Sequence, residues 1–406
     1  NKKIFFYKFN SKIMNIALVP GTFFPHPGGA QVQIHNLANK LNEKKINVDC
    51  YLFEKTNLIS NNYRIIIFNK IILSLVFLFK YYLGLNLKFL LKIYLKNLIT
   101  NKHYDLWHFN FINFKSLILI DCLKDLDQRV LVTFQGIDIQ LNKEIDYGYR
   151  LDKKYERYLN IIIKRIDYFS CLSNTIKDDL LSLEVPKNKM SIIPNAVNID
   201  KFKRYKKKNL NKKKINLITV ARFSEKKKGF DLLPKVALKL IEAKINFSWC
   251  IIGKGTKNLL SHNIIKNNPQ SFSIFDDLIS FDETYLPDTK LIKKYSESDV
   301  YINLSRIESF GITFVEALAS QIPIISFDTK GANEVIKDKY NGYIIRENNI
   351  NYMSNIIINI YKNPSLLNNL EEGIINSCKE YDLNLVTNKF IDAYNNLKQQ
   401  KTSLSI

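Results

Sequence analysis

Cysteine is scarce and unpaired in this chain. Cys50, Cys122, Cys171, Cys250 and Cys378 lie far apart, are odd in number and form no C-x-x-C motif. This argues against a disulfide framework. Most sit in apolar runs such as Phe247–Ile252, so buried free thiols in a reducing cytosol are expected. Histidine is equally sparse, and His26, His35, His103, His108 and His262 show no metal-ligand spacing. A long uninterrupted apolar run is also missing. The most hydrophobic stretch, 71–99, is broken by Lys80, Lys88, Lys92 and Lys96, whereas a spanning helix needs roughly 20 mostly apolar residues. It reads as one or two amphipathic helices. They either pack on a core or lie in the plane of an anionic membrane. Near the N-terminus, the apolar run Ile4–Phe9 is short, is interrupted by Lys8 and lacks a small-residue cleavage site, so it is not expected to act as a signal peptide. Met14 opens a cleaner start, and residues 1–13 are expected to be an extension outside the fold.

Acidic residues are outnumbered, 38 against 60 Lys and Arg, for a net charge of +22. That excess suits a nucleic acid, an anionic membrane surface or a phosphate-bearing substrate. An AT-rich coding sequence, with its many Lys, Asn and Ile codons, explains it equally well. Nucleic acid is the weakest partner, because no recognition module is present and aromatics do not interleave with the basic runs. There is no repeat and no low-complexity segment. A 406-residue chain that is 46% hydrophobic suits two cored domains of roughly 200 residues each.

Short apolar strands alternate with helical patterns through both halves. Strands are expected at Asn15–Val19, Val48–Phe53, Leu106–Phe109, Val130–Phe134, Tyr168–Leu172 and Ser191–Ile193. Helices fall between them at Gly29–Leu41, Leu73–Leu98, Phe114–Leu123, Tyr149–Ile166 and Thr175–Leu183. Residues 201–214 read KFKRYKKKNLNKKK, a solvated linker. The alternation restarts with strands at Ile215–Val220, Ser248–Ile252, Val300–Leu304, Pro323–Phe327 and Gly342–Ile345. Helices follow at Gly229–Ala243, Lys290–Ser296, Thr313–Ser320 and Ala332–Lys337. Repeated β-α units make doubly wound parallel sheets. The expected α/β architecture is therefore a Rossmann-like domain at 14–200, a second at 215–383 and a helical tail at 384–406, with a ligand cleft between the domains.

Three segments carry anion-binding chemistry. Pro25-His26-Pro27-Gly28-Gly29-Ala30-Gln31 follows the first strand. Its glycines allow close backbone approach, and the helix start behind them offers unpaired N–H groups. The spacing fails the G-x-G-x-x-G pattern, which argues against NAD. Next, Arg222 ends a strand, and Lys228-Gly229 opens a helix six residues on. A guanidinium fork and a point cation suit a pyrophosphate. Third, Asn303-Leu-Ser305-Arg-Ile-Glu308-Ser309-Phe310-Gly311-Ile312-Thr313-Phe-Val-Glu316 runs from strand through loop to helix. There Gly311 leaves room for phosphate, Glu316 can bind ribose hydroxyls, and Glu308 can hold sugar hydroxyls.

Glu308 and Glu316 form the Glu-x7-Glu pattern of the family 4 retaining glycosyltransferases of GT-B fold. The resemblance extends from Met14 over nearly the whole chain. Gly28-Gly29 resembles that family's phosphate loop, and Asp105-Leu-Trp-His108 its strand ending in histidine. Ser173 and Pro194-Asn195-Ala196 resemble segments before its linker. Arg222 and Lys228-Gly229 resemble its phosphate clamp, Gly253-Lys-Gly255 its glycine turn, and Lys330-Gly331-Ala-Asn-Glu334 its Gly-Gly-x-x-Glu loop. Gln135-Gly136 stands where His-Gly is common. Gln135 can hydrogen-bond a donor sugar but cannot serve as acid or base. Gln321 stands where glycine is common, and Lys330 replaces the first glycine of the later loop.

The resemblance implies transfer of a sugar, with retained configuration, from a nucleoside diphosphate (more commonly UDP) to an acceptor hydroxyl, without a metal. Asp125-Leu-Asp127 fits the metal-binding Asp-x-Asp string of the other transferase fold but precedes a strand instead of following one. By resemblance, Glu308, Arg222 and Lys228 serve catalysis. Gly28, Gly29, His108, Gln135, Asn195, Gly253, Ser309, Phe310, Gly311, Ile312 and Glu316 contact substrate. The expected acceptor is a glycan or lipid-linked glycan of bacterial surface polysaccharide, met at the cytoplasmic membrane face. A GT-B-shaped sugar-nucleotide epimerase, a nucleic-acid-binding protein and an inactive partner subunit remain as alternatives.

Overall fold

The structure, a computed structural model, describes residues 13–24, 28–58, 60–205, 213–276 and 282–400. The expected extension up to residue 12, Pro25-His26-Pro27 of the first glycine loop and 206–212 of the basic linker lie outside the described residues.

Among the described residues, thirteen strands form two sheets, and every pairing between them is parallel. The first sheet contains β1 (Asn15–Pro20), β2 (Asn47–Leu52), β3 (Arg64–Ile67), β4 (Leu106–Asn110), β5 (Val130–Phe134), β6 (Tyr168–Cys171) and β7 (Met190–Ile192). Their spatial order is β3-β2-β1-β4-β5-β6-β7. The second contains β8 (Ile215–Val220), β9 (Phe247–Ile252), β10 (Phe272–Phe275), β11 (Val300–Asn303), β12 (Ile324–Phe327) and β13 (Gly342–Ile345), in the order β10-β9-β8-β11-β12-β13. Central strands are covered on both faces, so β4 and β5 are buried throughout and read as apolar runs rather than alternating ones. In each sheet the winding reverses beside the first strand, between β1 and β4 and between β8 and β11. Such reversals leave a crevice at the strand C-termini where ligands bind.

Two strands escape the pattern reading, β3 and β10. Both are four-residue edge strands with partly exposed faces. The single helix expected over 73–98 is two. Helix α2 (Lys70–Leu78) is capped by Asn69, whose side chain accepts from Ile71 N and Ile72 N. It runs into a π-helical turn, Phe79–Leu83, that ends at Gly84 in the left-handed conformation, φ 69°. Helix α3 (Lys88–Asn101) then begins afresh. The helix expected from Gly229 begins later, at Leu233. Glu225–Lys228 forms one turn, Gly229 (φ 67°) ends it, and Leu233–Glu242 follows with a proline in its first turn.

The last helix, Leu383–Gln400, belongs spatially to the first domain. Its Val386, Phe390, Tyr394 and Leu397 share an apolar core with Ile16, Leu18 and Val32. Lys398 Nζ pairs with Asp105 Oδ1 at 2.9 Å, and Arg129 Nη2 donates to Lys398 O at 3.2 Å. The polypeptide therefore crosses between domains twice. Val197 N donates to Tyr381 O at 3.0 Å, and Leu383 N to Val197 O at 3.0 Å, so the crossings lie side by side.

Candidate functional site: a cationic cleft between two sheets

Both winding reversals open onto one cleft of about 580 Å³. The first domain lines it with Thr22, Gly28, Gly29, Gln135 and Asn195. The second contributes Arg222, Lys227, Lys228, Gly253, Glu308, Ser309, Phe310, Gly311, Ile312 and Glu316. The walls touch at Gly29, where a Cβ would stand 2.8 Å from Ile312 Cγ2. A side chain there would have to displace the Ile312 side chain. Polar bridges hold the same seam. Ser309 Oγ donates to Gln140 Oε1 at 2.6 Å, Ser173 Oγ donates to Ser309 O at 3.1 Å, and Thr175 N donates to Glu334 Oε1 at 3.1 Å.

The cations are fixed by local structure. Ser224 caps the turn Glu225–Lys228. Arg306 then clamps that turn from beneath: its guanidinium meets Asp231 at 2.8 and 2.7 Å and donates to the carbonyls of Glu225 and Lys226. Gly229 must be glycine, since its φ is positive and a Cβ would lie 2.0 Å from Leu304 O. Lys228 Nζ thereby reaches Glu308 Oε1 at 2.5 Å, and Ser305 Oγ donates to the same oxygen at 2.9 Å. The Glu308 loop rests on Gly331, whose N–H donates to Glu308 O at 2.9 Å. A Cβ on Gly331 would come within 2.7 Å of that backbone. Gly311 (φ 81°) starts the helix Ile312–Ala319, so its unpaired N–H groups and positive dipole end face the cleft.

Glu316 sits on the cleft floor, 4% exposed, with Oε2 accepting from Tyr295 Oη at 2.8 Å. Burial raises its pKa to about 7, against the opposing effect of the Tyr295 hydrogen bond. Lys227 Nζ lies 4.2 Å from the centroid of the Tyr147 ring, across the domain boundary. Burial, then the neighbouring charge of Lys228, lowers its pKa to about 8. Gln135 Nε2 donates to Asn110 Oδ1 at 2.8 Å. Its loop is tied by Asp138, a fully buried carboxylate that accepts from the N–H groups of Gln135, Gly136 and Ile112. Burial raises Asp138 to about 6 despite those bonds.

One expectation is corrected. His108 does not reach the cleft. It is fully buried beneath the last helix, with Nδ1 2.8 Å from Tyr394 Oη and Nε2 2.8 Å from Thr133 Oγ1. Desolvation lowers its pKa to about 3, so it is a neutral packing and hydrogen-bonding residue. The other expected site residues all border the cleft. Lys227, Tyr147, Gln140 and Asp138 were not singled out by the sequence reading. Lys227 is hidden in a lysine run, and the others act through contacts distant in sequence. Asp125 is held by Lys88 at 3.1 Å and Arg165 at 2.7 Å. Among the described residues, no group of three or more His, Cys, Asp or Glu is placed to hold a metal ion.

Two doubly wound domains facing one cationic cleft are the arrangement of the GT-B fold. The family model Glycosyltransferase Family 4 matches residues 27–201, and Glycosyl transferases group 1 matches 200–376. The chain belongs to this family. It is 25% identical to an uncharacterised glycosyltransferase of Methanocaldococcus jannaschii over 88% of this chain and 91% of that one. It is 23% identical to the alpha-galactosylglucosyldiacylglycerol synthase of Streptococcus pneumoniae, over 71% and 77%. A 41.2 kDa protein of the Klebsiella pneumoniae cps region is 30% identical over 50% of this chain, which spans only 56% of that relative. Among solved structures, Anabaena HepE in complex with UDP has a TM-score of 0.72 at 15% identity, covering 94% of this chain and 100% of that one.

Proposed function

We propose that this protein transfers a sugar, with retained anomeric configuration, from a nucleoside diphosphate sugar to a glycan or lipid-linked glycan of a bacterial surface polysaccharide. The observation that carries this reading is the set Arg222, Lys227 and Lys228 lining one cleft with the helix start at Gly311, Lys228 being paired with Glu308. As the glycosidic bond lengthens, charge grows on the departing diphosphate. Arg222, Lys228 and the N–H groups behind Gly28 and Gly311 stand where it grows. Those fixed cations make a metal unnecessary for the leaving group. Lys228 is already held in the cleft by Glu308 Oε1, so little reorganisation is needed when phosphate arrives. Glu316 takes the ribose hydroxyls and Glu308 the sugar hydroxyls. UDP is the preferred carrier, supported by HepE, which was solved with UDP and with UDP-glucose.

The acceptor is met at the inner face of the plasma membrane. No described helix is long and apolar enough to cross a bilayer. Instead α2, the π-turn and α3 expose Ile71, Leu78, Tyr82, Leu83, Leu85, Phe89 and Ile93. Between Lys70 and Lys102 there are six lysines and no acid. An in-plane helix pair on anionic lipid has this composition. The relative named as a glycolipid synthase supports an amphiphilic acceptor.

The test is a nucleotide-sugar screen by thermal shift, followed by NMR of the product anomer with and without EDTA. Stabilisation by one donor, a retained anomer and EDTA-insensitive turnover are expected. An inverted anomer, or turnover abolished by EDTA, overturns the mechanism.

A further inference from the structure

A second cavity, of about 720 Å³, lies in the first domain. It shares Thr22, Ile137 and Tyr149 with the cationic cleft, so the two adjoin across these residues. Its other end is walled by Phe77 and Tyr81, on the segment that exposes Leu78 and Tyr82. It therefore lies between the exposed apolar helices and the reacting centre.

The chemistry of this cavity reverses that of the cleft. Its walls are aromatic, chiefly Phe24, Phe53, Phe114 and Tyr155. Its charged residues are Glu54, Asp146, Asp152 and one cation, Lys115. Asp152 accepts from Tyr81 Oη at 2.5 Å and caps the helix Lys153–Ile162. Glu54 and Asp146 form no ion pair among the described residues. Aromatic faces receive the C–H face of a sugar ring, and carboxylates accept from its hydroxyls. A hydrocarbon tail would offer Glu54 and Asp146 no hydrogen-bond donor, whereas sugar hydroxyls would. An anionic group would meet three like charges with one counter-charge. In a chain of +22 that otherwise attracts anions, a local acidic excess discriminates against them.

We infer that this cavity binds the acceptor's terminal sugar, and that this sugar is uncharged, bearing neither a carboxylate nor a phosphate. The inference rests on the transferase reading and names the acceptor class for the same site. A neutral ring enters past Phe77 and Tyr81 and lies against Tyr149, so that its hydroxyl meets the donor sugar in the cleft.

The experiment offers the full chain a panel of octyl glycosides with a nucleotide sugar that stabilises it. Neutral members are the glucoside, galactoside, mannoside and N-acetylglucosaminide, and anionic members are the glucuronide and galacturonide. At least one neutral glycoside should accept, with the uronides about tenfold poorer or worse in kcat/KM. Glu54→Lys combined with Asp146→Lys, both at exposed positions, should narrow that gap severalfold. Melting curves with nucleotide show that the variant is folded. Equal or better use of a uronide, an unchanged gap in the variant, or silence of the whole panel overturns the inference. Nucleotide stabilisation and slow donor hydrolysis without acceptor report on the transferase reading separately. If both are missing, that reading fails; if both are present alongside a uronide preference, only the acceptor inference fails.

Discussion

The two sheets wind in the same sense, yet they bring unlike chemistry to the cleft. The second domain supplies charge: Arg222, Lys227, Lys228, Glu308 and Glu316, all carried on the segments that follow β8 and β11 or on the helix Ile312–Ala319. The first supplies backbone and shape. Gly28 and Gly29 offer close approach, and an aromatic, locally acidic hollow lies behind them. A diphosphate is always the same shape and charge, so rigid cations at strand ends suit it. An acceptor is met through loops and helices at the periphery, where shape can change without disturbing the sheet.

This division of labour can be broken, starting with the charge side. Arg222→Ala should lower turnover by roughly 10²–10³ while the protein stays folded, measured as nucleoside diphosphate release. Near-normal turnover would place the phosphate clamp elsewhere. Glu316→Ala should weaken donor binding by about tenfold or more, read by titration. The wild type should lose donor affinity as pH falls through about 7, where Glu316 takes up a proton, and the variant should lack that dependence. For the apo protein the sign is opposite. A carboxyl raised in the folded state favours folding at low pH, and that contribution is lost as pH rises through about 7.

On the packing side, His108→Ala should cost roughly 2–3 kcal/mol of stability, because it opens a buried gap and leaves Tyr394 Oη without its partner, while Thr133 keeps only Ser170. Turnover per folded molecule should persist. Since burial depresses His108, its neutral form stabilises the fold above about 6.5, and that contribution is lost as pH falls towards 3. Urea melts across that range check it. Smallest in stability is Ile71→Ser with Phe89→Ser, within about 0.5 kcal/mol per site because both are exposed. Its effect should appear instead as lost binding to anionic vesicles at low salt. Vesicle binding that survives the pair would move the membrane face off α2 and α3.

The same contrast explains what was legible from the sequence. Central parallel strands such as Ala17–Val19 are buried on both sides and announce themselves as apolar runs. Edge strands β3 and β10 are short and half-covered, so they do not. The 308–316 string could be read because strand, loop and helix deliver its residues consecutively. His108 could not, because its partner Tyr394 lies 286 residues away, on a helix that returns from the other domain. Lys227 is indistinguishable in sequence from its lysine neighbours, and only the ring of Tyr147 sets it apart. The aromatic cavity draws on β1, β2, α2 and the segment after β5, and no single stretch of sequence contains it.

The paired passage of the polypeptide between domains has a mechanical consequence. Residues 197 and 381–383 are stitched by main-chain hydrogen bonds, so the two ligaments cannot slide past one another. They act as a door's adjoining leaves on one pin. Rotation about this pin would leave both hydrogen bonds intact, whereas pulling the domains straight apart would break them. Because the final helix is embedded in the opposite lobe, cutting the chain near residue 383 would remove one leaf and unseat part of that lobe's interior at a stroke.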